Sequence, residues 1–217
     1  MRDLLVWPQL RELQQELDLL VLASGSRSCV GIDLSSGALV RTHQARSSTE
    51  LLRPYDTARA RIATAQTLRP EQPEALAIGT PLTWTGSLFG WRVDRCLRSV
   101  SHPEHAPLFG CAGPALPVWT LDGDRPSVSV LPVDSSFSLN VSERGVRCSF
   151  RWNTGTVELP LDDASVLSQL DWLPSSPLAG RKLHRAIGFR PHRVVVALSR
   201  PIRGYCYKVV AGLLPPP

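Results

Sequence analysis

Leucines 10, 13, 17 and 20 recur at three- and four-residue intervals, and Pro8 stands where a first helical turn tolerates its missing N–H. The spacing predicts an N-terminal helix beginning near Pro8. Beyond it the period shortens to two. Residues 29–34 and 38–43 flank Ser35-Ser36-Gly37, a short polar loop with glycine where a positive φ is needed, and read as a hairpin. Ala58, Ala60 and Ile62 alternate, and with the apolar 75–78 stretch they predict two strands around the rigid Pro70-Glu71-Gln72-Pro73 turn; an alanine-rich helix over 57–67 is the competing reading. Residues 91–100 fit a short helix, with Val93, Cys96, Leu97 and Val100 on one side and Arg92, Arg95 and Arg98 on the other.

After a loop rich in Pro, Gly and His at 101–117, further strands are expected at 118–121, 127–133, 136–141, 146–152 and 156–159. Asp163 is placed to cap a helix over 164–170, and Ser176-Pro177 to open a second one running to Ile187 and stopped by Gly188. Strands at 193–199 and 205–211 close the chain around Arg200-Pro201-Ile202-Arg203-Gly204, and the final three prolines are expected to fray.

The fold class that follows is α+β: a strand-rich body of short antiparallel strands and hairpins, with an N-terminal helix and a short helical pair near 163–187. Nineteen prolines across 217 residues limit helix length through most of the chain. A single intertwined domain over 1–217 is expected, the 101–117 loop being the one plausible boundary. The longest apolar run, 19–23, is far short of the roughly 18–20 residues of a membrane span, and the polar start lacks the pattern of a secretory signal. A soluble, cytoplasmic protein with no membrane partner is the expectation. Five cysteines without a Cys-x-x-Cys pair speak against a disulfide framework or a zinc ribbon.

Charge changes this picture. The 46 residues from Trp172 onward hold eight Arg or Lys and no carboxylate, so the tail is +8 and the rest −3, within a chain of net +5. Like charges gathered without counter-ions raise a potential that attracts anions. Of the 24 cations 22 are arginine, a bias that makes their placement more telling than their number. Helical spacing turns Leu178, Leu183, Ala186 and Ile187 inward and leaves Arg181, Lys182 and Arg185 outward, while Arg200 and Arg203 sit at the hairpin tip. These five are the candidate anion-binding residues, with Tyr205 and Tyr207 available for stacking. The alternative is internal pairing with Glu158, Asp162, Asp163 and Asp171. The partner implied is an anionic macromolecule or an acidic protein; nucleic acid fits the charges, but no helix-turn-helix, zinc finger or RNA-recognition strand is present.

Candidate chemistry is sparse. His102, His105 and Cys111 form the one close group of metal-capable side chains, one ligand short of a closed zinc site, so no metal and no cofactor is expected. Cys206 lies among positive residues, yet alternation turns it away from Tyr205 and Tyr207 toward an interior where a thiol is inert. Asp122 and Asp124 fit a polar turn better than a calcium loop. No phosphate loop, dinucleotide fingerprint or nucleophile elbow occurs. The reading is a non-enzymatic binding protein with a basic C-terminal face; the alternative is a hydrolase-like or cysteine-dependent enzyme using the His102–Cys111 loop or Cys206.

Overall fold

The computed structural model describes residues 16–25, 28–44, 52–63, 66, 69–103, 106–170 and 177–217. Its first half runs β1 (Glu16–Ser24), β2 (Ser28–Asp33), β3 (Leu39–Gln44), β4 (Asp56–Arg61), β5 (Ala75–Ile78), β6 (Thr83–Ser87) and α1 (Trp91–Val100). The second half runs β7 (Ala115–Pro117), β8 (Val128–Pro132), β9 (Ser138–Ser142), β10 (Gly145–Trp152), β11 (Gly155–Pro160), α2 (Ala164–Leu170), β12 (Pro177–Ala179), α3 (Gly180–Ile187), β13 (Arg193–Leu198) and β14 (Tyr205–Leu214). The strands form three sheets, ordered β5-β3-β2-β1-β4-β6, β7-β14-β13-β8 and β11-β10-β9-β12.

The β7-β14-β13-β8 sheet is the middle layer, and β13 shows why. All six of its residues, Arg-Val-Val-Val-Ala-Leu, are buried, the mark of a strand covered on both faces. Val194, Val196 and Leu198 enter a cluster with Leu139, Phe150 and Leu159 of the third sheet. Val195 and Ala197 enter another with Leu20, Leu22, Val30 and Ile32 of the first sheet and with Val93 and Leu97 of α1. Each such aliphatic side chain taken fully out of water contributes about 1.5–3 kcal/mol. Gly212 lets β14 approach β1 closely: a Cβ there would lie 2.7 Å from Ala23 Cβ and 3.2 Å from the Leu22 carbonyl oxygen. The 101–117 loop divides the residues that build the first sheet from those that build the other two, and the two parts share one buried cluster.

The strand-rich, mixed α+β character agrees with the sequence expectation; the continuation of the N-terminal helix through Leu17 and Leu20 does not. Residues 8–15 lie outside the described residues, while Leu17 and Leu20 belong to β1, whose odd positions Leu17, Leu19 and Val21 and even positions Leu20 and Leu22 enter different clusters. The continuous apolar run marks a strand buried on both faces, and the three-residue spacing of Leu17 and Leu20 is incidental to it. The 57–67 stretch holds β4 rather than a helix. Just after β4 the chain meets the end of β5 through an isolated antiparallel bridge between Ile62 and Ile78, while β5 itself pairs in parallel with β3, an exception to the expected antiparallel pattern. Residues 118–120 form a 3-10 turn instead of a strand, paired strand structure having ended at Pro117. The second helix of the 163–187 pair begins at Gly180, because Pro177–Ala179 joins the third sheet beside β9. The terminal prolines are tied down in part: the Tyr55 hydroxyl donates to the Pro215 carbonyl at 2.6 Å.

The loop chemistry read from sequence does place the remaining turns. Asp33 accepts hydrogen bonds from the amides and hydroxyls of Ser35 and Ser36, and Gly37 at φ 72° closes the β2–β3 hairpin. Asp163 Oδ1 accepts from the Val166 amide at the start of α2, and its Oδ2 accepts from the Leu213 amide at 3.0 Å, so one side chain caps a helix and anchors the last strand.

Candidate anion-binding site

α3 is amphipathic. Leu183 and Ile187 are buried against the third sheet's cluster, and Arg181, Lys182, His184 and Arg185 are exposed. Gly188 ends it in the left-handed conformation at φ 79°, its amide donating to the His184 carbonyl at 2.9 Å. Arg190, also exposed, follows two residues later. Arg181, His184 and Arg190 line a 300 Å³ hollow beside Phe137 and Asp134. The Asp134 carboxylate is held by the amide and hydroxyl of Ser136, which displace its pKa downward.

Arg200 and Arg203 occupy the far end of the final hairpin. Arg203 and Gly204 both take positive φ, 51° and 83°, between Ile202 and Tyr205, the geometry of a tight two-residue turn. Both arginines are exposed, and Trp119 stands edge-on to Tyr205 beside them at 5.8 Å. β13 separates this tip from Arg190, a run of six residues or roughly 17–20 Å. The five sequence candidates therefore fall into two groups, one on α3 and one at the tip.

Among the described residues none of the five lies within ion-pair distance of a carboxylate. Of the acidic groups expected as internal partners, Glu158 lies 3.7 Å from Arg147, Asp163 accepts backbone amides, Asp162 lines a cavity together with Arg200 without reaching ion-pair distance, and Asp171 is outside the described residues. The tail cation that does find a carboxylate is Arg193, buried, with Nη2 3.2 Å from Asp94 Oδ1 on α1.

The possible catalytic groups are dispersed. His102 stacks on Trp152 at 5.7 Å, His105 lies outside the described residues, and the Cys111 thiol points to the Ala115 carbonyl at 3.9 Å. Among the described residues no three His, Cys, Asp or Glu side chains converge in a manner suited to a metal. Lys208, buried, donates its ammonium to the Cys111 carbonyl rather than to a carboxylate, and burial pushes its pKa down. Cys206 is fully buried between exposed Tyr205 and Tyr207, and desolvation pushes its thiol up, away from a reactive thiolate.

A second basic lining escaped the sequence reading. Arg41 and His43, two positions apart on β3, face the end of β13 and line a 420 Å³ cavity with Gln72, Ser28, Asp162 and Arg200. No local signal marks it, since Arg41 and the Leu198 carbonyl it reaches at 2.9 Å are 157 residues apart.

The chain matches no protein-family model, and no curated protein matches it. No helix among the described residues is long and apolar enough to cross a membrane.

Proposed function

We propose that this is a non-enzymatic binding protein that holds a polyanionic macromolecule on the outward face of α3, with the Arg200–Arg203 tip as a second, distant contact. One observation carries the reading: Arg181, Lys182 and Arg185 share the exposed side of one helix, and no carboxylate among the described residues lies within ion-pair distance of them. His184 and Arg190 extend the same basic surface. Separated groups of this kind suit a ligand with charges repeated along its length, such as a nucleic-acid backbone or an acidic protein segment. With no base-reading motif, contacts go to the backbone, and affinity follows salt rather than sequence.

The test is a salt titration of binding to a single-stranded oligonucleotide and to polyglutamate, for the native chain and for Arg181→Gln/Lys182→Gln/Arg185→Gln. If the three cations each neutralise one phosphate, the logarithmic salt slope flattens by about 2 in the variant, from roughly 0.7 per phosphate on single strands. Binding to polyglutamate alone identifies an acidic protein as the partner class. No binding to either at low salt overturns the proposal.

A further inference from the structure

We propose that the cavity between β3 and the end of β13 is a binding site for phosphate, free or as a small phosphate monoester. The site shares Arg200 with the hairpin tip of the proposed polyanion surface but does not depend on the α3 cations. Its 420 Å³ is in the range of small-molecule pockets, and it lies where the first and middle sheets meet.

The lining asks for a ligand that both accepts and donates. Arg41 is buried; its Nη1 donates to the Leu198 carbonyl, and its Nε has no hydrogen-bond acceptor within reach, the nearest carboxylate oxygen being Glu74 Oε1 at 3.7 Å. Arg200 adds a second guanidinium from the hairpin. Arg200, exposed and without a carboxylate in ion-pair distance among the described residues, calls for an oxyanion, and Arg41, although paired with Glu74, keeps an Nε without a hydrogen-bond acceptor. His43 needs the opposite. Its Nε2 faces Gln72 Oε1 at 3.2 Å, an oxygen that only accepts, so Nε2 carries the hydrogen and Nδ1 is a bare lone pair. That Nδ1 is buried and without a hydrogen-bond partner.

Around the imidazole stand Arg41 on its own strand, Arg69 and Gln72 from the segment before β5, and Arg200 from the hairpin. Burial first, and then these three guanidinium groups, keep His43 neutral by lowering its pKa, the Gln72 hydrogen bond acting in the other direction. Asp162, the carboxylate on the lining, is exposed, its pKa is pushed upward by desolvation, and it too can only accept while ionised. Ser28 supplies a hydroxyl that serves either role.

A phosphate that keeps one proton satisfies this set: its charged oxygens meet the guanidinium groups, and its hydroxyl donates to His43 Nδ1. Sulfate has the same shape and no proton at neutral pH, so it leaves the lone pair unmet. Carboxylates share that defect.

Calorimetric titration of the full chain with inorganic phosphate, methyl phosphate and sulfate at constant ionic strength tests this directly. One phosphate should bind per chain, at least about tenfold more tightly than sulfate, the factor set by one unmet buried acceptor. The two sources of phosphate separate by pH. A monoester loses its last proton near pH 6, so methyl phosphate should bind at pH 5.5 and weaken by pH 8, whereas inorganic phosphate keeps a hydroxyl across that range. Binding of inorganic phosphate alone assigns the site to the free ion. Arg200→Gln, an exposed change, should weaken phosphate and sulfate alike. His43→Gln, which keeps a polar group toward Gln72 and removes Nδ1, should spare sulfate and abolish the preference for phosphate. Equal affinity for phosphate and sulfate in the native chain, a preference retained in His43→Gln, or no binding of either anion at millimolar concentration overturns the proposal.

Discussion

Arg41 and Arg181 are the same residue in opposite circumstances. Arg41 is buried where the first and middle sheets meet, near Glu74, which itself accepts the amide of Ser127 at 2.9 Å and its hydroxyl. Its guanidinium also reaches the carbonyls of Leu198 and Ser127, at 2.9 and 3.5 Å, so one side chain ties β3 to the segments at the end of β13 and the start of β8. Arg181, with Lys182 and Arg185, stands in solvent with no carboxylate in reach among the described residues. A charge taken from water must be compensated and becomes part of the assembly, whereas one left in water contributes little to folding and is available to a partner. Placement, more than the count of arginines, separates the two roles.

The largest effect should come from breaking the buried side of this comparison. Glu74→Ala leaves the buried Arg41 without its ion-pair partner and the Ser127 amide and hydroxyl without their acceptor, and should cost about 3–5 kcal/mol in a urea denaturation. A loss below 1 kcal/mol would show that water replaces the carboxylate and that the network does not hold the sheets. Asp163→Ala removes the α2 cap and the anchor of the Leu213 amide together, and should cost about 2–4 kcal/mol by the same measurement. Asp163→Asn keeps one acceptor oxygen and should recover part of that loss.

Acid should act next, and its sign follows from burial. His43 and His102 both have pKa values lowered in the fold, chiefly by desolvation, so the unfolded chain binds protons more readily than the native one. Their contribution to stability is present above the ordinary histidine pKa and is lost as pH falls through it. Thermal melting followed between pH 8 and 5 should show a declining midpoint, and the decline should be shallower in His43→Gln. A midpoint that rises over this range would mean that the native state gains protons instead.

The hairpins were legible in the sequence because their determinants are local. Asp33 with Ser35, Ser36 and Gly37, Asn153-Thr154 between β10 and β11, and the Arg203-Gly204 turn each place the chain reversal within a few residues. The outward face of α3 was legible for the same reason, helical spacing being enough to separate Leu183 and Ile187 from Arg181, Lys182 and Arg185. β1 was not, because leucines on both faces of a buried strand also satisfy a helical period. Nor were β6, β7 and β12, strands of five residues or fewer whose existence depends on distant partners. The Arg41–His43 cavity belongs with these, since it forms only when β3 meets the end of a hairpin more than 150 residues later.

The smallest expected change in stability belongs to the α3 cations, and it is paired with the largest change in binding. Arg181→Gln/Lys182→Gln/Arg185→Gln should leave the denaturation midpoint nearly unmoved, each exposed substitution shifting stability by no more than about 0.5 kcal/mol. Measuring denaturation and oligonucleotide affinity on the same preparations of this variant and the native chain is the most direct test. The account predicts an unchanged midpoint with lost affinity and a flattened salt slope; a destabilised variant, compared with a native chain that never bound the polyanion, would contradict it.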